Sequence, residues 1–395
     1  LRTGKFVVQV RRSSDDAFKS FTADEVTDGT LLAFTNADYA KYTSDFSAGD
    51  DSWGAFDDVT ETGNIDGIGG LDNNLRLAIG SATSQHRGYR SNALPANQKI
   101  NFSARVFIPS TNSVVDSIGI RDASGSVIIP LGTTPAQDQW VTVTANNVTV
   151  SNQQLRVDIQ DGGTNTFAGN GSDVIYLREI TVTQVTSDGL VKTWYDQSVT
   201  NEAGDTATGN HAVQATTASQ PKIVNAGALV ANGLDFDGSD DELNMPTDLI
   251  ASINSASTFL VAKSDTDSSS RIALALSRNS PDFRFYVGAL LSSKFHFGYQ
   301  DTALKIELSS ADTNKHLFTS IAGSSNAEGF LDGTSKGTVS SVDGKSALSS
   351  GGIGGINSGV FWDGTIQEIV VYNSDQTANR TAIEANIGEA YSITG

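Results

Sequence analysis

Apolar and polar residues alternate along most of this chain. Asn101-Phe102-Ser103-Ala104-Arg105-Val106-Phe107-Ile108 and Leu155-Arg156-Val157-Asp158-Ile159 put apolar side chains on one face and polar ones on the other, the period of a half-buried strand. Lys5 to Arg11 is a run of the same kind, followed by a polar turn and a second short run at Phe18 to Phe21. Thr27 to Phe34 reads as a turn and a short apolar segment. Leu1 to Thr35 are too few residues to bury a core alone and need a partner elsewhere in the chain.

From Asn36 to Ser187, about eight strand-like segments are separated by turn residues, the pattern of a β-sandwich. Leu190 to Leu243 then gives a strand-like entry at Val191, Thr193 and Tyr195, a polar loop rich in Asn, Thr and Gly, and a second run ending at Phe236 to Asp241. More strands follow, and Asp332-Gly333 between two of them is a strong hairpin signal. The last segment is the one helix expected: Ser374 is its N-cap candidate, and Ala382, Ile383, Ile387 and Tyr391 fall at helical spacing.

Composition agrees with this pattern. With 38 Gly and a single Met in 395 residues, long helices are disfavoured and short strands with tight turns are favoured. There is no Cys, which removes disulfides, thiolate metal sites and Cys nucleophiles. Twenty-six Lys and Arg against 45 Asp and Glu leave a net charge of −19, so no nucleic-acid partner and no anionic membrane surface is expected. No apolar run reaches the roughly 20 residues that span a bilayer, so no membrane insertion is expected, and no basic-then-apolar leader is visible. The chain begins at Leu1, as expected of a processed product or part of a longer chain.

Val10 to Phe21, VRRSSDDAFKSF, joined to Val191 to Gln214, VKTWYDQSVTNEAGDTATGNHAVQ, resembles a pattern of phage structural and tail proteins. The QPKIV and FDGSDD segments at Gln220 to Val224 and Phe236 to Asp241 continue it. FLDGTSKGT and the closing GTIQEIVVYN segment are similar to concanavalin A-like (LamG-like) lectin/glucanase sandwiches. The resemblance covers Leu1 to about Thr35 and Asp188 to Gly395. It implies a discontinuous concanavalin-like β-sandwich (jelly roll), residues 1–35 with 188–395, interrupted by a second β-sandwich at 36–187 and closed by one short C-terminal helix: an all-β protein. The insert resembles a carbohydrate-binding-module jelly roll. Such modules often hold calcium through acids on their first and last strands, and Arg178-Glu179 stands here where relatives often have Asp-Asp.

Tyr195-Asp196-Gln197-Ser198, Gly209-Asn210-His211 and Gly352-Ile353-Gly354-Gly355 also resemble the α-L-arabinofuranosidase B scaffold. A retaining glycosidase needs two carboxyls roughly 5 Å apart. That family has an Asp directly after GIGG, where this chain has Ile356, and in the LALSRNSPDF segment Asp282 is the only acid. The resemblance therefore implies a shared fold without shared catalysis, and no catalytic residue is assigned.

Aromatic rings exposed on a sheet or loop stack on the CH-rich face of a sugar while Asp, Asn and Gln bond its hydroxyls. The candidates are Trp53, Tyr89 and Trp140 in the insert, with Arg87, Gln85 and Asp122 as polar companions, and Trp194, Tyr195, Asp196 and His211 in the interrupted sandwich. Trp53 and Trp140 would equally fill a sandwich core, and Asp196 and Gln197 would equally bond the loop backbone behind them. Trp362, beside Asp363, reads as a packing residue. Asp235, Asp237, Asp240 and Asp241, with Glu242 beside them, could serve as oxygen ligands. They lack the Asx-x-Asx-x-Gly loop that would be specific, so calcium is the one cofactor left open. The four His show no paired spacing for zinc.

The expected function is a non-enzymatic virion component, a capsid decoration, fibre or tail adhesin, displaying glycan-binding-type sandwiches. Its expected partners are other virion or surface proteins, host glycans and further copies of itself. The alternatives are a secreted glycoside hydrolase or polysaccharide-binding protein, and a purely structural surface or filament protein.

Overall fold

The computed structural model describes residues 5–198, 209–231, 233–246, 256–268, 270–276, 286–299, 304–323, 326–340, 351–356 and 360–393. Asp282 of the arabinofuranosidase-like comparison lies outside them. The protein is all-β, with every strand pairing among the described residues antiparallel. It folds as two compact units, Leu1–Leu32 with Asp188–Gly395, and Ala33–Ser187.

In the first unit, Phe6–Arg12 pairs with Phe18–Thr22 on one side and with Gly189–Trp194 on the other, so the two separated pieces of chain are joined by a ladder with Val10 opposite Val191. Gly189–Trp194 leads into two layers. One continues through Lys222–Asn225, Leu234–Asp237, Asp363–Tyr372, Ala256–Ser264, Lys315–Ala322, Asn326–Leu331 and Thr334–Ser340. The other runs through Ala212–Val213, Leu243–Met245, Gly351–Ile353, Arg271–Ala275, Tyr286–Leu291, Lys294–Tyr299 and Leu304–Ser310. The layers meet so closely that a Cβ at Gly288 would stand 2.7 Å from Leu260 of the opposite layer. Asp332 and Gly333 both take positive φ between strands paired Leu331 to Thr334, the backbone of a two-residue hairpin turn.

The C-terminal helix is Arg380–Tyr391. Its Ile387, with Ile383 and Tyr391, covers Phe259, Leu317 and Phe330 on the outside of the first layer. Ser374 is not its N-cap. The helix starts after Asn379, and the Ser374 carbonyl instead accepts from the Ser257 hydroxyl. The segment before Asn36, expected as turn and apolar run, forms two single-turn helices, Ala23–Thr27 and Thr30–Thr35. Thr22 and Glu25 make a reciprocal capping box on the first, a local pairing strong enough to set the helical turn.

The Ala33–Ser187 unit has a six-stranded sheet, in the order Val141–Val150, Gln98–Phe107, Val174–Gln184, Asn74–Ile79 and Val59–Ile65, with Tyr39–Ser44 also beside Val174–Gln184. Its second sheet is five-stranded: Val127–Thr133, Ser117–Asp122, Leu155–Gln160, Arg87–Arg90 and Gly54–Phe56. Leu75, Leu77, Ile100, Val106 and Leu177 from the first and Ile118, Ile120, Val157 and Ile159 from the second share one buried core. Alternation then sends Arg156, Asp158 and Gln160 to the outer face of the five-stranded sheet.

Leu77 is fully buried and lies where a Cβ on Gly88 would stand 2.6 Å from it. Replacing Leu77 by Ala should cost about 3 kcal/mol of unfolding free energy. Chemical denaturation of the variant measures this, and a loss below about 1 kcal/mol would contradict the close packing described.

Candidate functional site

Four strands of the five-stranded sheet contribute outward side chains to one surface. Tyr89 faces Gly54 and Arg156 across its two ladders, and Arg87 faces Phe56 and Asp158. Tyr89 and Phe56 form a ring pair with centroids 4.5 Å apart, and both are half-buried. Gly54 is what lets the Tyr89 ring lie across the neighbouring strand, since a Cβ there would come within 2.6 Å of the ring. Beside the rings, Asp158 has no solvent exposure. Its Oδ1 accepts from Arg87 Nε at 2.7 Å, Arg121 Nη2 at 3.1 Å and Asn165 Nδ2 at 2.7 Å, and Arg121 Nε stands 2.6 Å from Oδ2 in ionic contact. Arg156 extends over the Phe56 ring, 5.2 Å from its centroid, and bonds Gln154 Oε1 through Nε. The face thus combines two aromatic rings in contact, tilted 34° to each other, with a row of guanidinium groups. It can offer a π surface to a flat CH-rich ligand and N–H donors to its oxygens.

Tyr89 and Arg87 sit on this face, whereas the other insert candidates do not. Trp53 is 4% exposed, with its edge against Phe46 and its Nε1 donating to the Tyr42 hydroxyl. It is a core residue and has no ring face for a sugar, which corrects the expectation for it. Trp140 packs on Phe107, donates to the Ile68 carbonyl and lies under Arg105 and Arg178, all remote in the sheet order from Tyr89. Gln85 belongs to a separate two-stranded ribbon with Thr166–Ala168. Asp122 is fully buried and accepts the amides of Ser126, Ser151 and Asn152. Burial pushes its pKa up, but these hydrogen bonds prevail and hold it below the usual value, so it serves the loops and not a ligand. Phe56, Arg121, Arg156 and Asp158 are the residues that sequence reasoning passed over. For Arg156 and Asp158 the signal was the charged polar face of the LRVDIQ strand, read there only as alternation.

In the other unit, Trp194, Tyr195, Asp196 and His211 form a packed corner. Trp194 is half-buried, paired with Val8 and Ala212. Tyr195 meets His211 edge-on at 5.0 Å, and its hydroxyl lies 2.9 Å from Ser20 Oγ. The Asp196 amide donates to His211 Nδ1, while its carboxylate accepts the amides of Ser198 and Asn210. Burial raises the Asp196 pKa and these amides more than offset it, leaving it below the usual range. Gln197 Nε2 donates to the Phe6 and Tyr195 carbonyls. These bonds organise the backbone on both sides of residues 199–208. Trp362 is fully buried.

Of the four aspartates considered for a metal, Asp237, Asp240 and Asp241 bring carboxylate oxygens within 4.8 Å of one another and Asp235 stands outside the group. Asp237 Oδ1 accepts the amides of Ser239 and Asp240, Asp240 Oδ2 accepts the Ser219 hydroxyl, and Asp241 Oδ2 accepts the Asp237 amide. Three carboxylates so engaged supply only part of the six to eight oxygens calcium takes. Asp241 is buried, and burial first, then repulsion from Asp237, pushes its pKa up to about 7.

No protein-family model matches the sequence, and no curated protein matches it. Among solved structures, the CBM22-1 xylan-binding domain of Paenibacillus barcinonensis Xyn10C is similar over 38% of this chain and 97% of its own, at 14% identity and TM-score 0.30. Mouse laminin alpha1 domains LG4-5 are similar over 75% of this chain and 89% of theirs, at 10% identity and TM-score 0.31. Trypanosoma rangeli sialidase is similar over 80% of this chain and 61% of its own, at 12% identity and TM-score 0.33. None of these three is a phage protein or an arabinofuranosidase. At such low scores they carry no argument about ligand or chemistry.

The raised Asp241 pKa has a definite sign. Between pH 4 and 7 the folded state holds a proton that the unfolded state has lost, so stability falls as pH rises through that window. Asp241→Asn, which keeps an acceptor for the Asp237 amide, should flatten the slope and raise stability at pH 8 by on the order of 2–4 kcal/mol. Urea titrations at pH 5 and pH 8 measure both. An equal pH slope in the variant and the parent would refute the assignment.

Proposed function

We propose that this is a non-enzymatic glycan-binding protein that contacts polysaccharide through the outer face of the five-stranded sheet. The observation that carries this reading is the Phe56 and Tyr89 ring pair, held on the outer face of the five-stranded sheet among the guanidinium groups of Arg87, Arg121 and Arg156. A pyranose laid on Tyr89 beside Phe56 buries its CH face, and the neighbouring guanidinium groups donate to its hydroxyls. A binding role without catalysis is supported by the state of Asp158, which is buried and already engaged by Arg87, Arg121 and Asn165, leaving it no part as nucleophile or proton donor. The virion setting, as capsid decoration, fibre or tail adhesin in several copies, rests on the resemblance of Val10 to Phe21 and Val191 to Gln214 to phage structural proteins.

Binding to a panel of plant and bacterial surface polysaccharides, with reducing ends measured in the same samples, tests the reading. The protein should retain at least one glycan without releasing sugar. Tyr89→Ala should weaken that binding about tenfold, the loss of roughly 1.4 kcal/mol of stacking, with circular dichroism unchanged because the ring faces outward. Steady release of reducing ends would make the protein an enzyme. Full binding by both Tyr89→Ala and Phe56→Ala would remove this face from the function.

A further inference from the structure

We infer that the glycan taken by this face carries an anionic substituent, a carboxylate or a sulfate ester, and that Arg156 is the residue that reads it. This deepens the glycan-binding reading above and rests on it. Arg87, Arg121 and Arg156 are gathered around Asp158, with the buried Asp122 also within electrostatic reach of Arg156, so three guanidinium groups outnumber two carboxylates in a chain whose net charge is −19. A buried carboxylate needs charge compensation, and Arg87 and Arg121 supply it directly. Arg156 is left over. Among the described residues its hydrogen bond goes to the neutral amide oxygen of Gln154, and it has no carboxylate within ion-pair distance.

Its position is equally specific. Arg156 is the ladder partner of Tyr89 and its guanidinium lies over the neighbouring Phe56 ring, so a sugar stacked on Tyr89 would bring its substituents beside this group. The planar fork of arginine matches the paired oxygens of a carboxylate or sulfate. Burial lowers the Arg156 pKa, and repulsion from Arg87 and Arg121 lowers it further, with Asp158 and Asp122 opposing. That repulsion is the positive potential an incoming anion would relieve. The overall negative charge repels polyanions from the rest of the surface, which makes a cationic patch beside an aromatic pair a selective feature and not a general one.

Equilibrium binding of the whole protein should be compared at about 0.15 M salt on polygalacturonate and its methyl ester, on dextran sulfate and unmodified dextran, and on polyglutamate. The inference expects one acidic glycan to be bound about tenfold more tightly than its neutral counterpart. The carboxylate and sulfate arms identify the substituent. Arg156→Gln should bring that ratio close to one, and Arg156→Lys, which keeps the charge and loses the fork, should restore part of it. Binding of neutral glycans with no acidic preference overturns this inference while leaving the glycan-binding reading in place, as does a preference that survives Arg156→Gln. Polyglutamate bound as tightly as the acidic glycan would reduce the patch to bare charge and also overturn it. Silence on every glycan, acidic and neutral, overturns both.

Discussion

A carboxylate with no contact to water has to be matched by charge, and Asp158, at the middle of a central strand, imposes that condition on everything around it. Breaking such a pair on one side leaves an uncompensated charge that costs about 3–5 kcal/mol. The two arginines that match it come from the strands on either side, Arg87 on one and Arg121 on the other. Because side chains alternate with a period of two, a slip of one residue in either ladder would turn Asp158 into the apolar interior and carry its partners elsewhere. The ionic contacts therefore fix the register of the sheet, and with it the neighbourhood of Tyr89, Phe56 and Arg156.

The same register explains why the aromatic pair is built from modest residues. Tyr89 needs a flat neighbour to lie on, and Gly54 provides it. The larger aromatics are used for other ends. Trp53 and Trp362 fill cores, and Trp140 closes the outside of the six-stranded sheet beneath Arg105 and Arg178. In the interrupted sandwich, Asp196 and His211 engage the backbone around them and the Tyr195 hydroxyl meets Ser20 Oγ.

Much of the architecture was legible in the residues because alternation is a local signal. Leu155, Val157 and Ile159 point inward as their spacing requires, and Asp332-Gly333 makes the turn its backbone preferences favour. The helical turn after Thr22 was equally legible, since Thr22 and Glu25 have capping-box spacing, but a five-residue helix leaves no periodicity to notice. The candidate site was harder to see. Alternation says that Arg156 and Asp158 face outward, but which strands flank them depends on pairings with Arg87–Arg90 and Ser117–Asp122, far away in sequence. Residue type misled in the case of Trp53, because a tryptophan on a sandwich strand suits a ligand and a core equally. Asp122 misled for a related reason: its three amide donors come from loops that composition cannot place.

The ladder between Phe6–Arg12 and Gly189–Trp194 has a consequence for how the chain is made. The first strand leaves the ribosome early, yet one of its two neighbours is encoded after the whole of Ala33–Ser187. At typical synthesis rates that interval is roughly ten to thirty seconds. Phe6–Arg12 meanwhile has only the hairpin partner Phe18–Thr22, and an isolated two-stranded hairpin is marginal in water. The insert, whose core draws on its own strands, can finish first. Assembly of the interrupted sandwich is thus postponed until the whole of Ala33–Ser187 has been made, and during that delay an exposed β edge awaits its partner.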